Sequence, residues 1–176
     1  MEDPTLSELR KLINQKQKLI FEAVKAGTVS ELSHQNQLEA KAIQEHMHLK
    51  HIHNALEFAD LRDGVQYEIT VGGEPVSPLA HIAMHVAVKE QIENDTLVRE
   101  AFEKMVATGT SAHHAEHVLS ALLAEAYWEG SKAAETGKDI DKAQSHYKRK
   151  LQKIIRDSTF QEKLTRQFTD DHSAFE

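Results

Sequence analysis

The punctuation of this chain fixes its fold class before any single residue does. Its 176 residues include only 3 Pro and 7 Gly, so few positions break an α-helix or demand a left-handed backbone. Asp3-Pro4 and Ser77-Pro78 each set a capping side chain before a proline at the first helical position. Gly27, Gly109 and Gly137 stand where apolar-periodic stretches end. Within those stretches apolar residues recur at roughly helical spacing, as in Leu6, Leu9, Ile13, Ile20 and Val24. Thr28 and Glu31 have capping-box spacing and open a predicted second helix reaching about Asp60. Further helices are predicted over about 77–93, 96–107 and 111–135, with Ser111 capping the last of these. A final one, capped by Asp139, carries the stripe Ile140, Ala143, Tyr147, Leu151 and Ile154. Its register changes near Asp157 to Thr159, before Leu164 and Phe168.

Asp63-Gly64 breaks the second helix, and Val65, Tyr67, Ile69 and Val71 then alternate with polar residues up to a Gly72-Gly73 turn. The prediction is an all-α bundle of five to six helices, with at most one short strand or hairpin near residues 65–76. Residues 1–138 are expected to form the His-rich bundle. Residues 139–176 are expected to form an amphipathic helical end that packs on the body or at an oligomer interface.

Composition excludes several classes of function. Cys is absent, which removes disulfides, thiolate metal sites, iron–sulfur clusters and cysteine catalysis. The net charge of −7 and pI near 5.9 argue against nucleic acid held by a general basic field. Mean hydropathy is −0.53, and no apolar run approaches the length of a membrane span. The first ten residues lack the pattern of a signal peptide, so the cytoplasm is the expected compartment. No glycine motif for nucleotides occurs, and Ser77 and Ser111 read as caps rather than nucleophiles.

The unusual residue is histidine, with 12 copies. His81/His85 and His113/His117 have i, i+4 spacing, which puts both rings of a pair on one helix face about 6 Å apart at Cβ. Two rings so placed can chelate one metal ion. With 12 His in 176 residues, about 0.8 such pairs arise by chance. Their surroundings add weight. The row His81, His85, Val88, Ile92 ends in apolar residues, which turns both rings inward. His113 and His117 run on into Ala121 and Ala124, small enough for a neighbouring helix to approach closely, and then Trp128. Burying four imidazoles without partners is costly, and a metal ion relieves that cost. Glu125 lies about 80° round the helix from His117, whereas Glu90 lies about 140° from His85. Glu39 and His46 are seven residues apart and share a face with Ala42 and His53. His48 and His51 are expected to face solvent, and His34, His146 and His172 are assigned no role. The candidate metal ligands are therefore His81, His85, His113, His117, His46, Glu125 and Glu39.

The stretch from Ser77 through His81 and His85 to Glu90-Gln91 reads HxxxHxxxxEQ from its first histidine. It is followed by Ala112-His113-His114-Ala115-Glu116-His117, then Glu125 and Trp128. Over about residues 38–132 this order resembles a bacterial family known only as a domain of unknown function, with an HxxxHxxxxEQ helix followed by an HExxH-like helix. The resemblance implies that His81, His85, Glu90, His113, His117 and Glu125 belong to the family pattern, and it implies no activity. It also lends support to Leu38-Glu39 and to the segment from Ile43 to His46. One position departs from the pattern. Where HExxH places the glutamate that activates water, this chain has His114, which counts against a zinc-protease mechanism.

Imidazole and carboxylate donors suit zinc, iron, manganese, nickel and copper alike. Four His with added Glu could hold one or two ions, and the His-rich ratio favours iron over zinc or manganese. The leading expectation is a metal-binding helical bundle, with oxygen-dependent oxidation of an unidentified small molecule as its first enzymatic class. Alternatives are a zinc-dependent hydrolase and a non-enzymatic, metal-stapled sensor or interaction scaffold. Expected partners are the metal ion and a second copy of the chain, with neither nucleic acid nor membrane.

Overall fold

The computed structural model describes residues 5–61, 69–71 and 74–172. Asp3-Pro4, Asp63-Gly64, the strand positions Val65 and Tyr67, and Gly72-Gly73 lie outside the described residues. The helices are α1 (Leu6–Ala26), α2 (His34–His46), α3 (Lys50–Glu57), α4 (Pro78–Asn94), α5 (Thr96–Ala107), α6 (Ala112–Glu135), α7 (Asp141–Arg156) and α8 (Ser158–His172). An antiparallel hairpin, β1 (Ile69–Val71) and β2 (Glu74–Val76), pairs Ile69 with Val76 and Val71 with Glu74. Among the described residues the protein is thus all-helical but for the hairpin foreseen near residues 65–76, and they form eight α-helices rather than five to six. Two predicted helices are each divided. The second breaks over Met47–Leu49, where Leu49 is extended (ψ 114°). The last breaks at Asp157, extended at φ −128° and ψ 98°.

The chain divides into two compact units, one reaching to Val86 and one starting at Ala87. In the first, Thr5 caps α1 through a reciprocal box with Glu8. Gly27 ends α1 in the left-handed region at φ 73°, and Thr28 N–H reaches Ala23 O at 3.0 Å. Thr28 makes no side-chain cap; the chain first makes a 3-10 turn, and Ser33 caps α2 instead. The buried residues of α1 are Asn14, Gln17, Ile20 and Phe21, while Leu9 and Ile13 are exposed. Half of the apolar spacing read there therefore faces out. Ile20 and Phe21 join Ile43, Ile52, Leu56 and Ile82 in one core.

Ile43 and Ile52 explain the break between α2 and α3. Nine residues apart on one continuous helix they would point about 180° away from each other. The turn at Met47–Leu49 lets both enter the same core, and Met47 and Leu49 pack against it.

In the second unit, Asp95 caps α5 through Leu97 and Val98 N–H, and Arg99 reaches back to Ile92 O and Glu93 O at the end of α4. Ser111 caps α6 at His114 N–H, as its position predicts. α7 packs on α5, α6 and α8, and α8 also packs on α6. The buried residues there include Met105, Leu119, Leu151 and Ile154. Asp157 Oδ1 accepts from Phe160 N–H at 3.0 Å, so the residue that stops α7 also starts α8. Among the described residues no helix is long and apolar enough to cross a membrane.

Candidate metal centre

Ser77 Oγ accepts from Ala80 N–H at 3.2 Å, which sets the start of α4 and hence the phase of its histidines. One turn later α4 presents His81 and His85 on one face, with ring centroids 5.0 Å apart. His46, the last residue of α2, meets both, at 4.7 Å from His81 and 4.4 Å from His85. His46 and His85 are buried, at 1% and 0% exposure, and His81 is half-buried. One ring nitrogen of each of the three lies within 4.8 Å of the others.

His46 Nδ1 sits 2.7 Å from Ala42 O. A carbonyl only accepts, so Nδ1 carries the proton and Nε2 presents its lone pair. This is the arrangement that fixes a metal-ligating imidazole. Glu45, immediately before His46, puts a carboxylate oxygen within 4.8 Å of a His85 nitrogen. The first unit therefore gathers three imidazoles, with the Glu45 carboxylate near one of them, His85. Glu45 is not among the candidate ligands read from the sequence, although it lies in the Ile43–His46 segment that the family resemblance supports.

Glu39 is buried but joins no such group among the described residues; its carboxylate pairs with Lys16 at 2.8 Å. His53 packs edge-on against Phe21, with centroids 5.3 Å apart. His48 is exposed as expected. His51 is half-buried rather than exposed, and desolvation lowers its pKa.

The second unit holds the other pair. His113 and His117 are both half-buried, and their Nε2 atoms are 3.0 Å apart. At that separation either one ring donates to the other or both lone pairs converge on one ion. Two nitrogens bound at about 2.0–2.1 Å to a single metal stand about 3.0–3.4 Å apart. Glu116 offers a carboxylate oxygen within 4.8 Å of a His113 nitrogen. Its two oxygens also accept from the buried Lys89 ammonium at 2.8 and 2.6 Å. His114, at the position of the HExxH glutamate, spends Nε2 on Thr165 O of α8 at 3.0 Å. It thereby ties two helices together.

Glu125 lies apart from these rings. Its carboxylate is exposed and pairs with Lys150 at 2.5 Å. It groups with Glu129 and His146, whose Nδ1 is 3.1 Å from a Glu129 oxygen. His146, given no role on sequence grounds, thus has a specific partner on another helix. Glu90 is half-buried, and its carbonyl accepts from the Asn94 side chain.

A family model described as "Domain of unknown function (DUF1841)" matches residues 13–153. No curated protein and no solved structure matches the chain significantly.

Proposed function

The chain therefore belongs to the DUF1841 family, a domain of unknown function, and we propose that it is a transition-metal-binding helical protein centred on His46, His81 and His85. The observation that carries this reading is the buried meeting of three imidazoles from α2 and α4, one of them tautomerically fixed by Ala42 O. With Glu45 beside His85, the donors are imidazole and carboxylate, the type that suits non-haem iron. Iron is the favoured metal, and oxygen-dependent oxidation is the reaction class it would support. His113 and His117 form a second donor pair, so the protein takes one or two ions. Glu39 and Glu125 would enter a ligand set only by exchanging Lys16 and Lys150 for the ion.

The chemistry of such a group, once bound, is Lewis acidity and, for iron, electron transfer. The protein's own share is to hold His46 in one tautomer and to keep water from His85. A zinc hydrolase is the second reading, favoured by the three imidazoles, the set that holds catalytic zinc elsewhere. The engagement of His114 with Thr165 O leaves that reading without a base at the HExxH position.

Elemental analysis of untagged protein, as purified and after anaerobic reconstitution with iron, zinc or manganese, tests the proposal. Stoichiometric iron lost in the His81→Ala/His85→Ala variant supports it. Stoichiometric zinc shifts it to the second reading. No retained metal under any of these conditions overturns it.

A further inference from the structure

The second unit contains a cleft between α6 and α7 that has no part in the histidine centre. Its volume is about 510 Å³, within the range of small-molecule sites. Ala126, Gly130 and Ala134 on α6 and Ala143 on α7 leave the space, and Leu123 and Leu151 add apolar wall. Gly130 is an ordinary helical residue. A Cβ there would meet Ile140 and Ala143 only at 3.8 and 3.9 Å, so no steric conflict forces glycine at this position.

Among the polar residues that line the cleft, Ser131 and Gln144 included, two are joined by a hydrogen bond. Tyr147 O–H donates to Gln91 Oε1 at 2.7 Å. Gln91 is the residue that closes the HxxxHxxxxEQ motif. The pair leaves the Gln91 amide N–H groups and a phenol lone pair to serve a ligand. Burial raises the Tyr147 pKa, and Asp95 and Tyr127 raise it further, so the phenol stays neutral. Asp95 and Lys148 both line the cleft, and the Asp95 carboxylate is already engaged by Leu97 and Val98 N–H. Tyr127 and Ile140, at 61% and 54% exposure, also line it and present apolar surface for an occupant to cover.

We propose that this cleft binds a neutral small molecule with an apolar body of two rings or more and a hydroxyl or carbonyl head that pairs with Gln91 and Tyr147. A neutral head is favoured because the hydrogen-bonded pair it meets, Gln91 and Tyr147, carries no charge. A two-ring body fits within this volume with room to spare.

The probe is 2-naphthol, followed by amide NMR on the full chain. Saturable shifts are expected at Gly130, Ala134, Ala143 and the Gln91 side-chain amide, with a Kd of about 1 mM or tighter for a ligand of this size. Tyr147→Phe should weaken binding by about two- to tenfold, as loss of one hydrogen bond predicts. Gly130→Leu should abolish it by filling the cleft, and Ala134→Leu serves as a second blocking variant, each checked for helicity by circular dichroism. Shifts that never saturate, or that persist in a folded blocking variant, overturn the proposal. So do probe-free shifts at these residues that grow with protein concentration, which would assign the face to a second copy of the chain.

Discussion

Glu116→Gln is expected to cost the second unit a large part of its stability. The Lys89 ammonium and the Glu116 carboxylate are each about 8% exposed and meet at 2.6 and 2.8 Å. At an effective dielectric near 20 their attraction is about 6 kcal/mol, most of it offset by the cost of taking both charges out of water. Removing one partner takes away that attraction while much of the cost remains. Glu116→Gln and Lys89→Met should each destabilise by about 3–5 kcal/mol, out of a total of about 5–15 kcal/mol for a domain. The double variant Lys89→Met/Glu116→Leu buries no charge and should return to within about 1 kcal/mol of the parent or exceed it. The assay is urea unfolding in the presence of a chelator, followed by the fluorescence of Trp128, which lies on α6 with Glu116. Single variants that each cost under about 1 kcal/mol and add up in the double would refute the reasoning.

Three further outcomes follow from named contacts. Phe21 is fully buried among Ile20, Ile43 and Ile52, so Phe21→Ala should cost about 3–5 kcal/mol by chemical denaturation. Side-chain hydrogen bonding from Lys25, then the charges of Lys18 and Lys25, lower the Glu57 pKa. Its contribution is therefore present above the unfolded carboxylate pKa and lost as pH falls through the folded one; Glu57→Gln should destabilise at pH 7 and cost progressively less as pH falls below the ordinary carboxylate range. His114→Ala removes the bond to Thr165 O and should speed amide exchange in α8 well before the rest of the second unit.

What could be read in the sequence was local. Ser77, Ser111, Gly27, Gly109 and Gly137 punctuate helices because capping and positive φ depend on a residue and its immediate neighbours. The i, i+4 pairs were legible for the same reason: helix geometry alone puts His81 beside His85. The break at Met47–Leu49 was not, because all three residues are tolerated in helices and only the shared core of Ile43 and Ile52 turns the chain there. Thr28 and Glu31 had the spacing of a cap, yet a 3-10 turn moved that role to Ser33. The partners of Glu39, Glu125 and His146 lie on other helices, at separations of 17 to 25 residues (Glu39 with Lys16, Glu125 with Lys150, His146 with Glu129), and spacing carries no trace of them.

X-ray absorption at the metal edge of the iron-reconstituted protein interrogates the histidine centre itself. A centre built on His46, His81 and His85 gives a first shell of nitrogen and oxygen with the outer-shell scattering of three or more imidazoles, reduced in His46→Ala. A first shell of water and carboxylate oxygen alone, unchanged by that substitution, would contradict it.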